Sequence, residues 1–216
     1  MEQLTLVQII AVAILPVLFA ITLHEVAHGW VAQWLGDDTA ARLGRLSVNP
    51  IHHIDPLGTV LIPGLLLLLK AGFLFGWAKP VPVDFNRLRH PKRDMALVAL
   101  AGPLANLFMA IVWALLIRLA ILIDLPYASV PLALMGQLGI SVNIVLMLIN
   151  LIPIPPLDGG RVAVGLLPYQ LAVPFSRLEP YGFLILLALM FTNSLSLLLG
   201  LPMRVLHGLL LGLAGL

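Results

Sequence analysis

The sequence predicts an all-α polytopic membrane protein with about five to six transmembrane or re-entrant helices and a small extended or β element on its cytoplasmic side. Three observations carry this. Of the 216 residues, 61% are hydrophobic and 10% charged, against about 25% charged in soluble domains. The apolar residues also gather in runs. A span needs about 20 residues to cross about 30 Å of hydrocarbon, and Thr5–Leu23, Met95–Ile123, Val130–Leu157 and Tyr181–Val205 are each about that long or longer. Finally, 17 prolines and 18 glycines predict broken elements, which survive at membrane depth only where protein or a water-filled cavity satisfies their backbone. No repeat or low-complexity tract interrupts the chain, and 1–216 reads as a single membrane-embedded domain.

Thr5–Leu23 carries one amide, Gln8, and no charge. Met1–Gln3 lacks the basic stretch of a secretion signal, so the segment reads as a retained helix. It runs directly into His24-Glu25-Val26-Ala27-His28. Side chains four apart share a helix face, so His24 and His28 can aim ring nitrogens at one Zn²⁺ while Glu25 lies beside them to hold a water. Ionisable groups next to hydrocarbon cost about 2.5–3.5 kcal/mol each on insertion scales. Three within five residues therefore require a compensating partner.

Two later segments are ambiguous: Leu57–Ala78, interrupted by Pro63 and Lys70, and Val162–Phe175, which is too short to cross alone. Lys and Arg mark cytoplasmic loops. Arg42 and Arg45 follow the first helix, and Lys79, Arg87, Arg89, Lys92 and Arg93 precede the Met95 helix, whereas Asp124–Ser129 has no basic residue. The first helix thus ends inside, the Met95 helix leaves from inside, and the Val130 segment returns there. Both flanks of Leu57–Ala78 are basic, so a single crossing violates parity. A dip and return, permitted by Pro63, Gly64, Gly72 and Gly76, is the preferred reading; the alternative is a crossing with Trp77–Val83 threading back as extended chain. Arg42–Val48 and Lys79–Phe85 alternate enough for short strands, and proline restricts Lys79-Pro80-Val81-Pro82 to edge-type geometry.

The absence of cysteine excludes disulfides and thiolate zinc sites, leaving His and carboxylate ligands. The net charge of +2 is explained by topology, and no nucleic-acid partner is expected. A catalytic zinc takes three protein ligands and keeps one position open. Beyond the histidine pair, the candidates are His52, His53, His90, His207, Asp55, Asp124, Glu179 and Asp158. Asp124 falls on the outer side, His207 near the C-terminus and His90 in a basic loop. His52 and His53 are adjacent, and adjacent loop residues rarely point at one ion. Asp158 differs, because it follows the apolar stretch Val130–Leu157 and apolar residues resume at Val162. Pro153, Pro155 and Pro156 unwind the helix before it and aim its carboxylate toward the first helix. Its structural alternatives are a pairing with Arg161 or a cap on the next helix. Asn150 places amide hydrogens near the same site, whereas Asn106 reads as a helix–helix hydrogen-bonding residue.

Four stretches together resemble the site-2 protease family of zinc metalloproteases, in its compact branch without a PDZ or CBS domain: His24-Glu25-Val26-Ala27-His28; Gly44-Arg45-Leu46-Ser47-Val48-Asn49-Pro50; Ala101-Gly102-Pro103-Leu104-Ala105-Asn106; and Asn150-Leu151-Ile152-Pro153 leading to Leu157-Asp158-Gly159. The resemblance implies that His24, His28 and Asp158 bind one zinc ion, that Glu25 is the catalytic base, and that Asn150 holds substrate or the oxyanion. It also implies an intramembrane endopeptidase of the cell's inner membrane with its active site toward the cytoplasm. Its substrate is then a single-pass membrane protein already trimmed by another protease. The alternative use of the same ligands is a zinc transporter or sensor without hydrolysis, which has no need of Glu25.

Overall fold

The computed structural model describes residues 5–69, 76–124 and 126–216. The chain forms a helical bundle, and five stretches are long and apolar enough to cross a membrane: Val7–Trp34, Pro91–Ile123, Ser129–Asn150, Tyr169–Phe191 and Ser194–Ala214. This is a multi-pass membrane protein.

The first helix, α1 (Leu6–Trp34), does not stop where the uncharged run ends. It continues through the histidine motif for about another ten residues, or about 15 Å at 1.5 Å per residue. A short turn of helix, α2 (Thr39–Arg42), follows. The long α4 (Pro91–Ile123) and α5 (Ser129–Asn150) pack against α1 to form the bundle centre. Met109, Trp113 and Ile117 of α4 interlock there with Ile140 and Ile144 of α5. Gly139 is required at this contact, because a Cβ there would lie 2.4 Å from the Trp113 ring.

Between α2 and α4, residues 56–61 and α3 (Ile62–Leu68) form one short apolar helix, Pro56–Leu68. At about 20 Å it is too short to cross. The chain returns beside its own start, with Trp77 N–H donating to Gly58 O at 3.1 Å and the Thr59 hydroxyl to Trp77 O at 2.8 Å. At Trp77 the chain is therefore back beside the start of this short helix. Lys70 and Gly72, one of the expected reversal points, lie outside the described residues.

The expected strands at Arg42–Val48 and Lys79–Phe85 do not form: no strand occurs among the described residues. Arg42 is helical, Phe85 begins a 3₁₀ turn, and the rest of both segments runs as extended or turning chain. Pro80 and Pro82 have no N–H, and the Val81 N–H between them donates to a side chain, so no backbone ladder can start. The apolar run Tyr181–Val205 is likewise not one helix. It breaks at Asn193, which adopts left-handed backbone (φ 59°) between α8 (Gly182–Phe191) and α9 (Ser194–Ala214).

Arg118, near the end of α4, donates to Leu213 O at 3.3 Å, and Ser141 of α5 lies 3.2 Å from His207. Hence α9 runs parallel to α4. Because α5 is antiparallel to both, the chain between α5 and α9, comprising α6 (Asp158–Leu166), α7 (Tyr169–Ser176) and α8, begins and ends on one side of the bundle.

Candidate metal centre and active site

The site is assembled from four helices, α1, α4, α5 and α6, and one extended strap. α1 presents His24 and His28 on one face and Glu25 beside them. The chain leaves α5 at Asn150, turns through Leu151–Leu157 and starts α6 with Asp158. Gly159 and Gly160 let that start lie directly on the turn, since a Cβ at either would meet backbone of residues 151–155 at 2.3 Å. The carboxylate is thereby turned toward α1. Asp158 Oδ2 is 3.2 Å from His24 Nε2, Asp158 Oδ1 is 3.4 Å from His28 Nε2, and the two Nε2 atoms are 3.1 Å apart. All three residues are buried.

This triangle fits a cation. His28 Nδ1 lies 2.7 Å from Val98 O and His24 Nδ1 lies 2.6 Å from Asn106 Oδ1. Both partners accept, so each Nδ1 carries a proton, and the neutral form of each ring turns a lone pair inward from Nε2. Three acceptors facing one another out of water repel unless a positive charge sits between them. Zinc with N and O ligands at about 2.0–2.2 Å in a tetrahedron places neighbouring ligand atoms about 3.3–3.5 Å apart, close to the separations seen. Among the described residues, His24, His28 and Asp158 are the cluster with metal-ligand geometry.

Helix α4 closes this side. A Cβ on Gly102 would sit 2.5 Å from His28 Nε2 and 2.6 Å from His24 Cε1, so glycine is what lets α4 touch both rings. The strap, residues 76–84, closes the other. Val81 is buried and its N–H donates to Glu25 Oε2 at 2.8 Å. Gly29, one turn along α1, has no side chain to keep Val81 and Leu46 away. Arg45 fastens the strap, donating to the carbonyls of His52, Lys79 and Pro80 at 2.7, 3.1 and 3.3 Å.

Asn150 lines the same cavity as Glu25 and Asp158, with its amide donating to Leu146 O at 3.0 Å. The sequence reading therefore brought together the five residues it singled out. Asp158 does not pair with Arg161, whose guanidinium lies over the Phe85 ring, 5.4 Å from its centroid. The other candidates lie elsewhere. His53 is buried and donates to Ser47 O, His52 is exposed, Asp55 caps residues 57 and 58, Asp124 ends α4, and His207 meets Ser141. His90 and Glu179 are exposed outside the cluster. Two contributors were missed. Asn106 orients His24, and Val81 reaches Glu25 through its backbone; a motif could flag the first, but no side-chain signal exists for the second.

A pair of histidines on one helix turn, a carboxylate from a second helix and a free glutamate beside them, buried in a polytopic bundle, define a membrane metallopeptidase. Sequence relatives say which kind. YwhC of Bacillus subtilis, named as a zinc metalloprotease, is 40% identical over 182 residues, covering 83% of this chain and 80% of that protein. Rip2 of Mycolicibacterium smegmatis, similarly named, is 28% identical over 179 residues, covering 83% of this chain and 66% of its own. Rip2 of Mycobacterium tuberculosis is 32% identical over 142 residues, 66% of this chain and 52% of that protein. No family model and no solved structure matches. The chain belongs to the site-2 protease family, and it is a zinc metalloprotease.

Proposed function

We propose that the chain is an intramembrane zinc endopeptidase of the cell's inner membrane that hydrolyses a peptide bond in or near the transmembrane segment of another membrane protein. The supporting observation is the depth of the cluster: His24 lies about 15 Å from the end of α1, counted at 1.5 Å per residue. The cation-rich loops flanking the site support a cytoplasm-facing active site. When bound by His24, His28 and Asp158, zinc supplies a Lewis acid that polarises the scissile carbonyl and acidifies a water toward a pKa of about 7. Glu25 takes the water's proton and returns it to the leaving amine. Asn150 donates its remaining amide hydrogen to the oxyanion, and Val81 N–H keeps Glu25 aimed.

The substrate proposed is a single-pass helix already shortened by another protease and reached through the lipid bilayer. Its backbone bonds are internal, so it must unwind before attack. The Val81 N–H and the Lys79 and Pro80 carbonyls of one edge are engaged. At 45–49 the Arg45 N–H and the Ser47 and Asn49 carbonyls are engaged as well, but the Leu46 and Ser47 N–H groups are not, which favours 45–49 as the edge that pairs with the unwound segment. Ser47→Pro is expected to slow cleavage, and unchanged cleavage removes this edge from the mechanism.

Glu25→Gln tests the whole reading. The purified variant should keep its zinc and lose about 10²–10⁴-fold in cleavage of a helical substrate in proteoliposomes. Cleavage at the wild-type rate overturns the protease mechanism, and zinc flux through the variant instead identifies a transporter. Mass spectrometry of membrane proteins that accumulate in a Glu25→Gln strain then names the substrate.

A further inference from the structure

Asn106 and Asn143 are completely buried (0% exposed) where α1, α4 and α5 meet. Two backbone carbonyls set their direction. Asn143 Nδ2 lies 2.8 Å from Gly139 O, and Asn106 Nδ2 lies 3.1 Å from Ala20 O. A carbonyl only accepts, so both asparagines must present their NH₂ groups there. Asn143 therefore turns Oδ1 toward Asn106, whose Nδ2 donates to it at 3.0 Å. Both Asn106 amide hydrogens are then used, and only its Oδ1 is left to face His24 Nδ1.

We propose that Asn143 is a positioning residue for the metal centre. By holding the Asn106 amide in one orientation, it fixes the proton of His24 on Nδ1 and keeps the Nε2 lone pair for the metal. Without Asn143, only the Ala20 carbonyl opposes a flip of Asn106, and the flipped amide would aim an N–H at Nδ1 and invite the proton onto Nε2. His28 needs no such relay, because its Nδ1 donates to the Val98 carbonyl, which cannot flip. This inference rests on the zinc-binding reading of His24, His28 and Asp158.

The test is zinc affinity of the full-length protein in detergent, measured by competition with a chromophoric chelator, in a double-mutant cycle. Removing a hydrogen-bonding partner of a metal ligand typically costs 10–100-fold in metal affinity. Asn143→Leu should weaken zinc binding by about tenfold and Asn106→Leu by up to about 100-fold. The double variant should bind no more weakly than Asn106→Leu alone, because Asn143 acts only through Asn106. A purely structural role for Asn143 predicts losses that add. Additive losses, or wild-type affinity in Asn143→Leu, overturn the inference while leaving the metal site standing. A wild-type protein that holds no zinc overturns the metal reading itself. If Asn143→Leu does not fold, Asn143→Asp decides. Burial keeps that carboxyl neutral, so its O–H and C=O replace the amide's donor and acceptor. Wild-type affinity then supports the relay, and a loss of about tenfold or more overturns it.

Discussion

The two walls of the active-site cavity are built differently. On the helical wall, every polar contact to the metal cluster comes from a side chain or carbonyl set by a helix: Asn106 and Val98 hold the rings, and Asp158 starts α6. On the strap wall, Glu25 is held by one backbone N–H of an extended segment. That segment is itself fastened by Arg45 at the Lys79 and Pro80 carbonyls, by its Trp77 and Lys79 N–H groups at Gly58 O and His53 O, and by its Asp84 N–H at Asp37. Ligands must stay within a few tenths of an ångström of tetrahedral geometry, whereas a base that accepts and returns a proton beside an incoming substrate must tolerate movement. Damage to the first wall should remove the metal, and damage to the second should remove turnover with the metal in place.

The sharpest way to break this contrast is Gly102→Ala. The added methyl would lie 2.5–2.6 Å from both imidazoles, and neither ring can retreat without losing its Nδ1 hydrogen bond. Overpacking of this kind costs about 1–3 kcal/mol, or about 5–150-fold in zinc affinity if it falls wholly on the bound state. Zinc content after dialysis should drop with Glu25 and the strap untouched. A variant that retains full zinc would show that α4 can withdraw, and that the helical wall is not rigid.

Next in size is Val81→Pro, which removes the one N–H in Pro80-Val81-Pro82 while suiting its extended backbone. A hydrogen bond to a charged group is worth about 1.5–3 kcal/mol. Cleavage should fall by about 10–100-fold if that is expressed in the rate, with zinc stoichiometry at the wild-type value. Zinc loss in this variant would mean that the two walls are coupled. Arg45→Lys should act the same way but more weakly, since an ammonium cannot span three carbonyls as a guanidinium fork does. Limited proteolysis near residues 76–84 would report the loosened strap.

The difference between the walls also explains what could be read from the sequence. The metal ligands were legible because histidines and an aspartate in apolar surroundings need a reason to be there, and because helical spacing pairs His24 with His28. The central helices followed from run length. Asn106 was legible as a residue but not in its role: whether it faces Asn143, His24 or both depends on the rotation of α4 against two neighbours. Val81 was invisible, since its contribution is a backbone N–H. The strands failed for a related reason, as alternation at Lys79–Phe85 was real but the prolines removed the donors a ladder needs. The break at Asn193 lay inside a run whose composition is equally suited to one helix or two.

Asp37 supplies the smallest test, because it joins the walls outside the membrane-spanning segments. It lies just past α1, where its Oδ1 accepts the Thr39 N–H at 3.0 Å and the Thr39 hydroxyl, and its Oδ2 accepts the Asp84 N–H at the strap's end at 2.7 Å. Burial works against its ionised form, but the bonds from Thr39 and Asp84 and the charge of Arg87 outweigh it and hold the carboxyl below its ordinary value. A group whose folded-state pKa is lowered contributes stability that is fully present above its unfolded value, about 3.9, and is lost as pH falls through the folded value. Asp37→Asn should therefore lower thermal stability at pH 7 by about 1 kcal/mol. The gap to wild type should close as the pH is taken below about 4. Zinc content should not change, since the helical wall does not depend on this contact. A gap that persists unchanged at low pH would mean that Asp37 acts through packing rather than charge.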